Sequence, residues 1–296
     1  MKINEYLLAI LVTAIWGWNF SIIKLGLGTL DPFMLAGLRF LFCALPLIFF
    51  VQKPNTSLKA MIFYGVLFGT GVWGMVNVGV YLGVSAGVAS LLLQFSAFFT
   101  IIFGVLFFKE KVGMPQLFGF SVAMLGLMIV LNLTDGSISY AGIAFVLFGA
   151  LCWSLTNVVV KKVKPNNVFS FLVWSCLFAS FPLFVLGYFV NGGDALVQMS
   201  QNIDAMTVFS IFFQIYPATL FSFWIWSSLM KKHPISSVAP LSLLVPLFGL
   251  MGSMVIFDEA LNVDKMAAFG LILSGLIIGM FGSKFYRLLV PATNKV

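Results

Sequence analysis

The sequence predicts an all-α membrane protein: ten transmembrane helices in two inverted five-helix repeats, with both termini in the cytoplasm. Three observations carry this expectation. First, the 296 residues are 61% hydrophobic and 8% charged. Soluble domains carry about 25% charged residues, so this chain has too few to cover a water-facing surface. Second, ten apolar runs follow one another, each long enough to cross a hydrocarbon core of about 30 Å as a helix. Third, the halves repeat each other. Trp16, Ile22, Ile23 and Lys24 recur 137 positions later as Trp153, Val159, Val160 and Lys161. Phe33 and Pro46 recur 136 positions later as Phe169 and Pro182, and Glu110 and Gly126 recur 149 positions later as Glu259 and Gly275. An odd number of spans per repeat turns the second copy upside down. Inverted repeats of this kind mark an alternating-access transporter, with its substrate site between the copies near the midplane. The repeats divide as 1–135 and 136–296.

The runs fall at about 6–28, 32–51, 60–82, 87–108, 115–133, 140–160, 167–190, 206–229, 234–257 and 266–283. The breaks between them carry turn signals: Asp31-Pro32, Lys53-Pro54-Asn55, Asp135-Gly136, Lys164-Pro165-Asn166, Gly192-Gly193-Asp194 and His233-Pro234. The break near Leu82–Ala86 is short and uncharged. The repeat offset grows from about 136 to 149 between the second and fourth spans of each half, which places an insertion in the polar outer loop 191–205. The first run is a full span followed by no A-x-A-like site, so it is expected to stay as an uncleaved first helix. Pro46 and Pro182 occupy matching deep positions, where each removes one helix hydrogen bond.

Charge sets the orientation. With the N-terminus inside, the cytoplasmic side receives Lys2, Lys53, Lys59, Lys109, Lys111, Lys161, Lys162, Lys164, Lys231, Lys232, Lys284, Arg287 and Lys295, and the outside receives Lys265 alone. That asymmetry satisfies the positive-inside rule. The net charge of +7 is therefore a topology signal. No basic stripe with interleaved aromatics lies outside the membrane, so nucleic acid is not an expected partner. Cys43, Cys152 and Cys176 sit in apolar runs without metal-ligand spacing and read as small core residues.

These residues resemble a known family. Ile15-Trp16-Gly17-Trp18-Asn19-Phe20 followed by Lys24, and Leu35-Ala36-Gly37-Leu38-Arg39-Phe40, are similar to the first two spans of the EamA-type transporters of the drug/metabolite transporter superfamily. The run from Gly87 through Ser90-Leu91-Leu92-Leu93-Gln94 to Glu110, and Val238-Ala239-Pro240-Leu241-Ser242-Leu243-Leu244-Val245-Pro246, resemble the subgroup that exports O-acetylserine, cysteine and related amino-acid metabolites. The resemblance covers the whole chain. It implies ten helices in two inverted repeats, a bacterial inner membrane, and efflux of a small metabolite. The sequence departs from the pattern at three points: Ala260 follows Glu259 where the family often has Arg, Ala97 stands opposite Pro246 of the second copy, and Arg39 has Ser175 as its repeat partner.

Few residues deep in the spans can do chemistry. The only charged ones are Lys24, which is about a turn from the outer end and placed to snorkel, and Arg39, about two turns in. No span holds a carboxylate to pair with Arg39. Helix-end carbonyls, Asp31 if the chain turns back, or a substrate carboxylate are its open partners. Amides and hydroxyls cannot face lipid cheaply, so each either bonds a neighbouring helix or lines a cavity. These are Asn19 beside Trp16, Asn157 beside Trp153, the stripe Trp73, Asn77 and Tyr81, and then Gln94, Gln214, Tyr216 and Ser242. A pocket of aromatic walls with a few amides suits a small zwitterion with a polar tail, and spans 1, 3, 4, 6, 8 and 9 are the expected lining. Gly65, Gly69 and Gly74, and Gly249 with Ser253, are spaced for close helix packing. Glu110 and Glu259 end the fourth and ninth spans on opposite faces. Capping, pairing with Lys109, Lys111 or Lys265, and gate latching are all open to them. Lys24, Lys161 and Asp258 complete the gating or coupling candidates.

The sequence has no G-x-x-x-x-G-K-[ST] run for ATP, and its single histidine, His233, belongs to no metal-binding cluster. No cofactor, metal or enzymatic activity is expected. The expected partners are a small-molecule metabolite and the lipid bilayer. The oligomeric state is open, a monomer being one reading. Proton coupling would have to use Glu110, Asp258, Glu259 or the substrate. Competing readings are export of nucleosides or drugs, a lipid or lipid-linked sugar translocator, an intramembrane enzyme, and a structural subunit. The translocator calls for basic residues in a lateral groove, and the enzyme for paired acid/base groups at depth.

Overall fold

The computed structural model describes residues 1–109, 112–133, 136, 138–193, 201, 203–233 and 238–289. Among these residues there are no strands. The helices are α1 Ile3–Gly26, α2 Pro32–Phe49, α3 Leu58–Tyr81, α4 Ala86–Phe107, α5 Met114–Leu131, α6 Tyr140–Val163, α7 Val168–Asn191, α8 Ala205–Met230, α9 Leu241–Phe257 and α10 Val263–Leu289. Nine are long and apolar enough to cross a membrane, and α9 is shorter. The first residues of α9 follow a tighter 3-10 path over Ala239–Leu244, which rises about 2.0 Å per residue, so α9 spans more than its length suggests. The chain is a multi-pass membrane protein with the expected all-α fold.

Local chemistry explains where the helices begin. Asp31 Oδ1 accepts from the N–H groups of Phe33 (2.8 Å) and Met34 (3.1 Å) at the head of α2, with Pro32 in the first turn. Ser57, Ser85, Ser139, Asn167 and Asp204 cap α3, α4, α6, α7 and α8 in the same way. The ends of α4 and α9 match. Lys109 and Asp258, 149 positions apart, both terminate their helices in the left-handed region at φ 54° and 51°. Regular α-helix in α2 ends at Ala44, just before Pro46. Pro182 is accommodated inside an unbroken α7.

Four spans are irregular, three of them within their length and α9 at its start. Helix α3 winds in wide π-type turns over Leu67–Gly74, and α8 does so over Gln214–Phe221, 147 positions later. Pro217 lacks the N–H that a regular α8 needs there. The hydroxyls of Thr219 and Ser222 donate to the carbonyls of Gln214 and Pro217, both at 2.7 Å. Helices α4 and α9 tighten into 3-10 turns at Leu93–Phe95 and Ala239–Leu244. Irregular backbone at membrane depth persists where it is buried in protein or lines a cavity, and these segments surround the centre of the molecule.

Close packing joins the spans in pairs: α2 with α7, α5 with α10, and α1 and α4 with α9. Gly17 of α1 lies so near α9 that a Cβ there would stand 2.5 Å from Phe248 Cβ and 2.6 Å from the Val245 carbonyl. At the lysine-rich end, Glu5 of α1 holds Lys232 Nζ at 2.5 Å, and His233 Nε2 lies 3.0 Å away, tying α1 to the end of α8.

Candidate functional site

A cavity of about 520 Å³ opens among the irregular segments, a size suited to a small molecule. Trp16 and Phe20 of α1, Trp73 of α3, and Trp153 and Asn157 of α6 form one side. The 3-10 turn of α4 and the residues after it bring Leu93, Gln94, Ser96, Ala97, Thr100 and Ile101. Ser242, Leu243 and Val245 of α9, Gln116 of α5, and Gly279 and Met280 of α10 complete it. Gln116, Asn157 and Ser242 lie near the helix ends that adjoin Lys109, Lys161 and Lys232. The cavity therefore runs from the middle of the bundle toward the lysine-rich end.

The walls are fixed from behind. Trp16 donates its indole N–H to the Ala218 carbonyl at 2.9 Å, on the wide-turn segment of α8. Its ring packs on Phe223 and Trp226, with centroids 5.5 and 5.1 Å away. Trp153 meets Phe68 and Trp73 edge-on, both at 5.9 Å. Asn157 donates to Thr100 Oγ1 at 3.2 Å, joining α6 to α4 across the wall, and Thr100 itself donates to the Ser96 carbonyl at 2.7 Å. Gln116 accepts from the Gly113 N–H at 3.0 Å. The lining contains no charged side chain.

Of the residues singled out by sequence, Trp16, Trp73, Gln94, Trp153, Asn157 and Ser242 meet on this cavity. The others do not. Asn19 is fully buried beside it, with neither amide atom partnered. Asn77 donates to the Pro32 carbonyl at 3.1 Å, and Gln214 to Ser210 Oγ at 3.0 Å, both inside helix contacts. Tyr81 and Tyr216 are 61% and 47% exposed on the outer surface. The stripe from Trp73 to Tyr81 separates because residues four apart drift by roughly 40° per step around a 3.6-residue helix. The lining also differs from the expected set of spans: α8 buttresses the wall without lining it, while α5 and α10 contribute. Asp31 caps α2 and accepts from Asn191 Nδ2 at 2.5 Å. Arg39 instead reaches Thr219, through Nε at 3.0 Å and Nη2 at 2.9 Å.

Phe20 was not singled out by sequence, yet the repeat held the signal. The 137-residue offset that pairs Trp16 with Trp153 also pairs Phe20 with Asn157, and all four line the cavity. The 149-residue offset pairs Leu93 with Ser242, Gln94 with Leu243 and Ser96 with Val245, again all on the cavity.

Among the gating candidates, Glu259 lies at the far end from the lysine-rich face. Its Oε1 takes Lys265 Nζ at 2.8 Å and Ser85 Oγ at 2.7 Å, and Ser253 donates to Oε2. Lys24 Nζ stands 4.2 Å over the Phe257 ring. Asp258 and Lys161 are exposed at helix ends. Glu110 lies outside the described residues.

Comparison with known proteins identifies the class. The EamA-like transporter family matches residues 3–132 and again 140–281, and the chain belongs to that family of transporters. Two relatives, from Salmonella typhimurium and Escherichia coli, are 35% and 34% identical over 97% of this chain and 98% of their own length. Each is named a probable amino-acid metabolite efflux pump. The uncharacterized transporter YoaV of Bacillus subtilis is 25% identical over 91% of this chain and 94% of its own. A solved crystal structure at 15% identity shares the fold, with a TM-score of 0.65 over 98% of this chain and 99% of that one.

Proposed function

We propose that this protein exports small amino-acid-like metabolites, of the cysteine and O-acetylserine type, across the bacterial inner membrane by alternating access. The observation that carries the reading is the central cavity. It is walled by three tryptophans, carries the amides of Gln94 and Asn157, and lies in a chain whose relatives over nearly full length are named for amino-acid metabolite efflux. Indole faces favour an ammonium group, and the amides and Ser242 match a polar side chain. Residues 1–135 and 136–296 act as two inverted repeats that rock about the cavity. The lysine asymmetry supports a cytoplasmic position for both termini and for the end toward which the cavity runs, the side from which an exporter loads. The Glu259 cluster then closes the outer end, and Glu259 or the substrate carries any coupled proton. The reading requires no cofactor, catalysis or second subunit.

The test is release of preloaded, labelled cysteine or O-acetylserine from proteoliposomes, with and without a pH gradient, for wild type and Asn157→Ala. Protein-dependent release that falls at least several-fold in the variant supports the site. Acceleration by the gradient supports proton coupling, and indifference to it supports facilitated efflux. Folded wild-type protein that releases neither compound refutes the substrate assignment.

A further inference from the structure

Arg39 is a fully buried charge, and its surroundings leave it incomplete. It is 1% exposed. Two of its nitrogens share one acceptor, Thr219 Oγ1, and Nη1 has none. The ion pairs among the described residues involve Glu5 and Glu259 at the two ends of the bundle, neither of them with Arg39. A buried guanidinium with five donors normally meets a carboxylate or several carbonyls. Here its remaining face lies on an aromatic ring, with the guanidinium carbon 4.2 Å from the centroid of Trp73.

Trp73 belongs to the cavity wall, whereas Arg39 does not line it. The indole thus touches both the cavity and the cation. Its own N–H is buried and unpartnered, a second donor awaiting an acceptor. Both groups that hold Arg39 stand on the wide-turn segments, Trp73 on Leu67–Gly74 and Thr219 on Gln214–Phe221. Such turns recur at functional sites. The cavity itself offers a zwitterion aromatic faces and amides but no positive charge.

We infer that Arg39 and Trp73 form a shuttered carboxylate subsite. The indole screens the guanidinium when the cavity is empty. A substrate carboxylate displaces it, accepting from Arg39 Nη1 and from the indole N–H. The inference rests on the proposed function and narrows it: the substrates carry a free carboxylate, and their decarboxylated counterparts bind far less well.

The test is binding to the detergent-purified full chain, followed by tryptophan emission, using cysteine against cysteamine and O-acetylserine against O-acetylethanolamine. Wild type is expected to favour each carboxylate at least tenfold, with an emission change that the amine does not produce. Arg39→Gln is expected to erase that preference, and Arg39→Lys to retain part of it. Because Arg39→Gln removes a buried group that holds α2 to α8, Trp73→Phe is the second variant. It keeps the fold's ring and is expected to abolish the carboxylate-specific emission change. Equal binding of acid and amine by wild type overturns the subsite, even if both compounds are transported. Equal weakening of acid and amine in Arg39→Gln assigns Arg39 a structural role and also overturns it. Failure of wild type to bind any of the four compounds, with no flux, refutes the proposed function and this inference with it. Flux without carboxylate preference refutes the inference alone.

Discussion

Glu259 and Lys265 form an ion pair of 2.8 Å where α9 ends and α10 begins, away from the lysine-rich face, and both side chains are buried, at 8% and 1% exposure. The pair does more than close a loop. Glu259 also takes the hydroxyl of Ser85, the cap of α4, and Lys265 donates a second bond to the Ala260 carbonyl at 3.1 Å. One carboxylate thus gathers the ends of three helices. Removing one partner leaves an uncompensated charge, which costs about 3–5 kcal/mol, whereas removing both costs far less. Lys265→Met should therefore lower the midpoint of denaturant unfolding sharply, and the double change Glu259→Gln with Lys265→Met should restore most of it. An unchanged midpoint in Lys265→Met would remove the cluster from any account of how this end of the bundle is held.

Gly17 and Gly270 offer a contrast in one residue type. Both stand in helices, but a Cβ at Gly17 collides with the backbone of α9, while one at Gly270 meets nothing within 4 Å. Gly17→Ala should destabilise by about 1–3 kcal/mol through overpacking and slow flux, because α1 and α9 both border the cavity. Gly270→Ala should be neutral or stabilising by up to about 1 kcal/mol, the helix-propensity difference. Parallel unfolding curves in detergent check both.

Trp16→Phe keeps an aromatic wall and deletes the bond to the Ala218 carbonyl. Stability should fall by about 1 kcal/mol. Substrate affinity should fall further than stability, because the ring is no longer fixed against α8. Affinity equal to wild type would show that packing on Phe223 and Trp226 suffices to position the ring.

Asp204 gives a pH dependence outside the membrane core. The Thr207 hydroxyl and backbone N–H donate to its carboxylate at 2.6 and 2.7 Å. These bonds hold its pKa below the usual aspartate value. A folded-state value lower than the unfolded one means that the cap contributes fully above the ordinary aspartate range and fades as pH falls through the depressed value. Asp204→Asn should therefore flatten the acid limb of a stability profile below about pH 4 and leave neutral pH nearly unchanged. An acid limb identical to that of wild type would assign the loss to other carboxylates.

The sequence by itself determined the membrane class, the number of spans and most of their ends, because bilayer thickness, caps and breakers act along one dimension. The repeat offsets even carried the pairing of Leu93 with Ser242 and of Phe20 with Asn157. Only the tertiary structure decided which polar residues share the cavity. Asn19 and Asn157 look alike in sequence, yet one is sealed between helices and the other faces the cavity. The facing direction depends on how each helix is rotated: Asn157 is equivalent to Phe20 in the repeat, so Asn19 stands one residue, about 100° of helix turn, away from the cavity-facing position. Hydropathy measures transfer from water into an apolar phase, and it has no sense of direction within the bundle. The contact of Arg39 with Trp73 and Thr219, residues 34 and 180 positions away, therefore becomes visible only once the helices are packed.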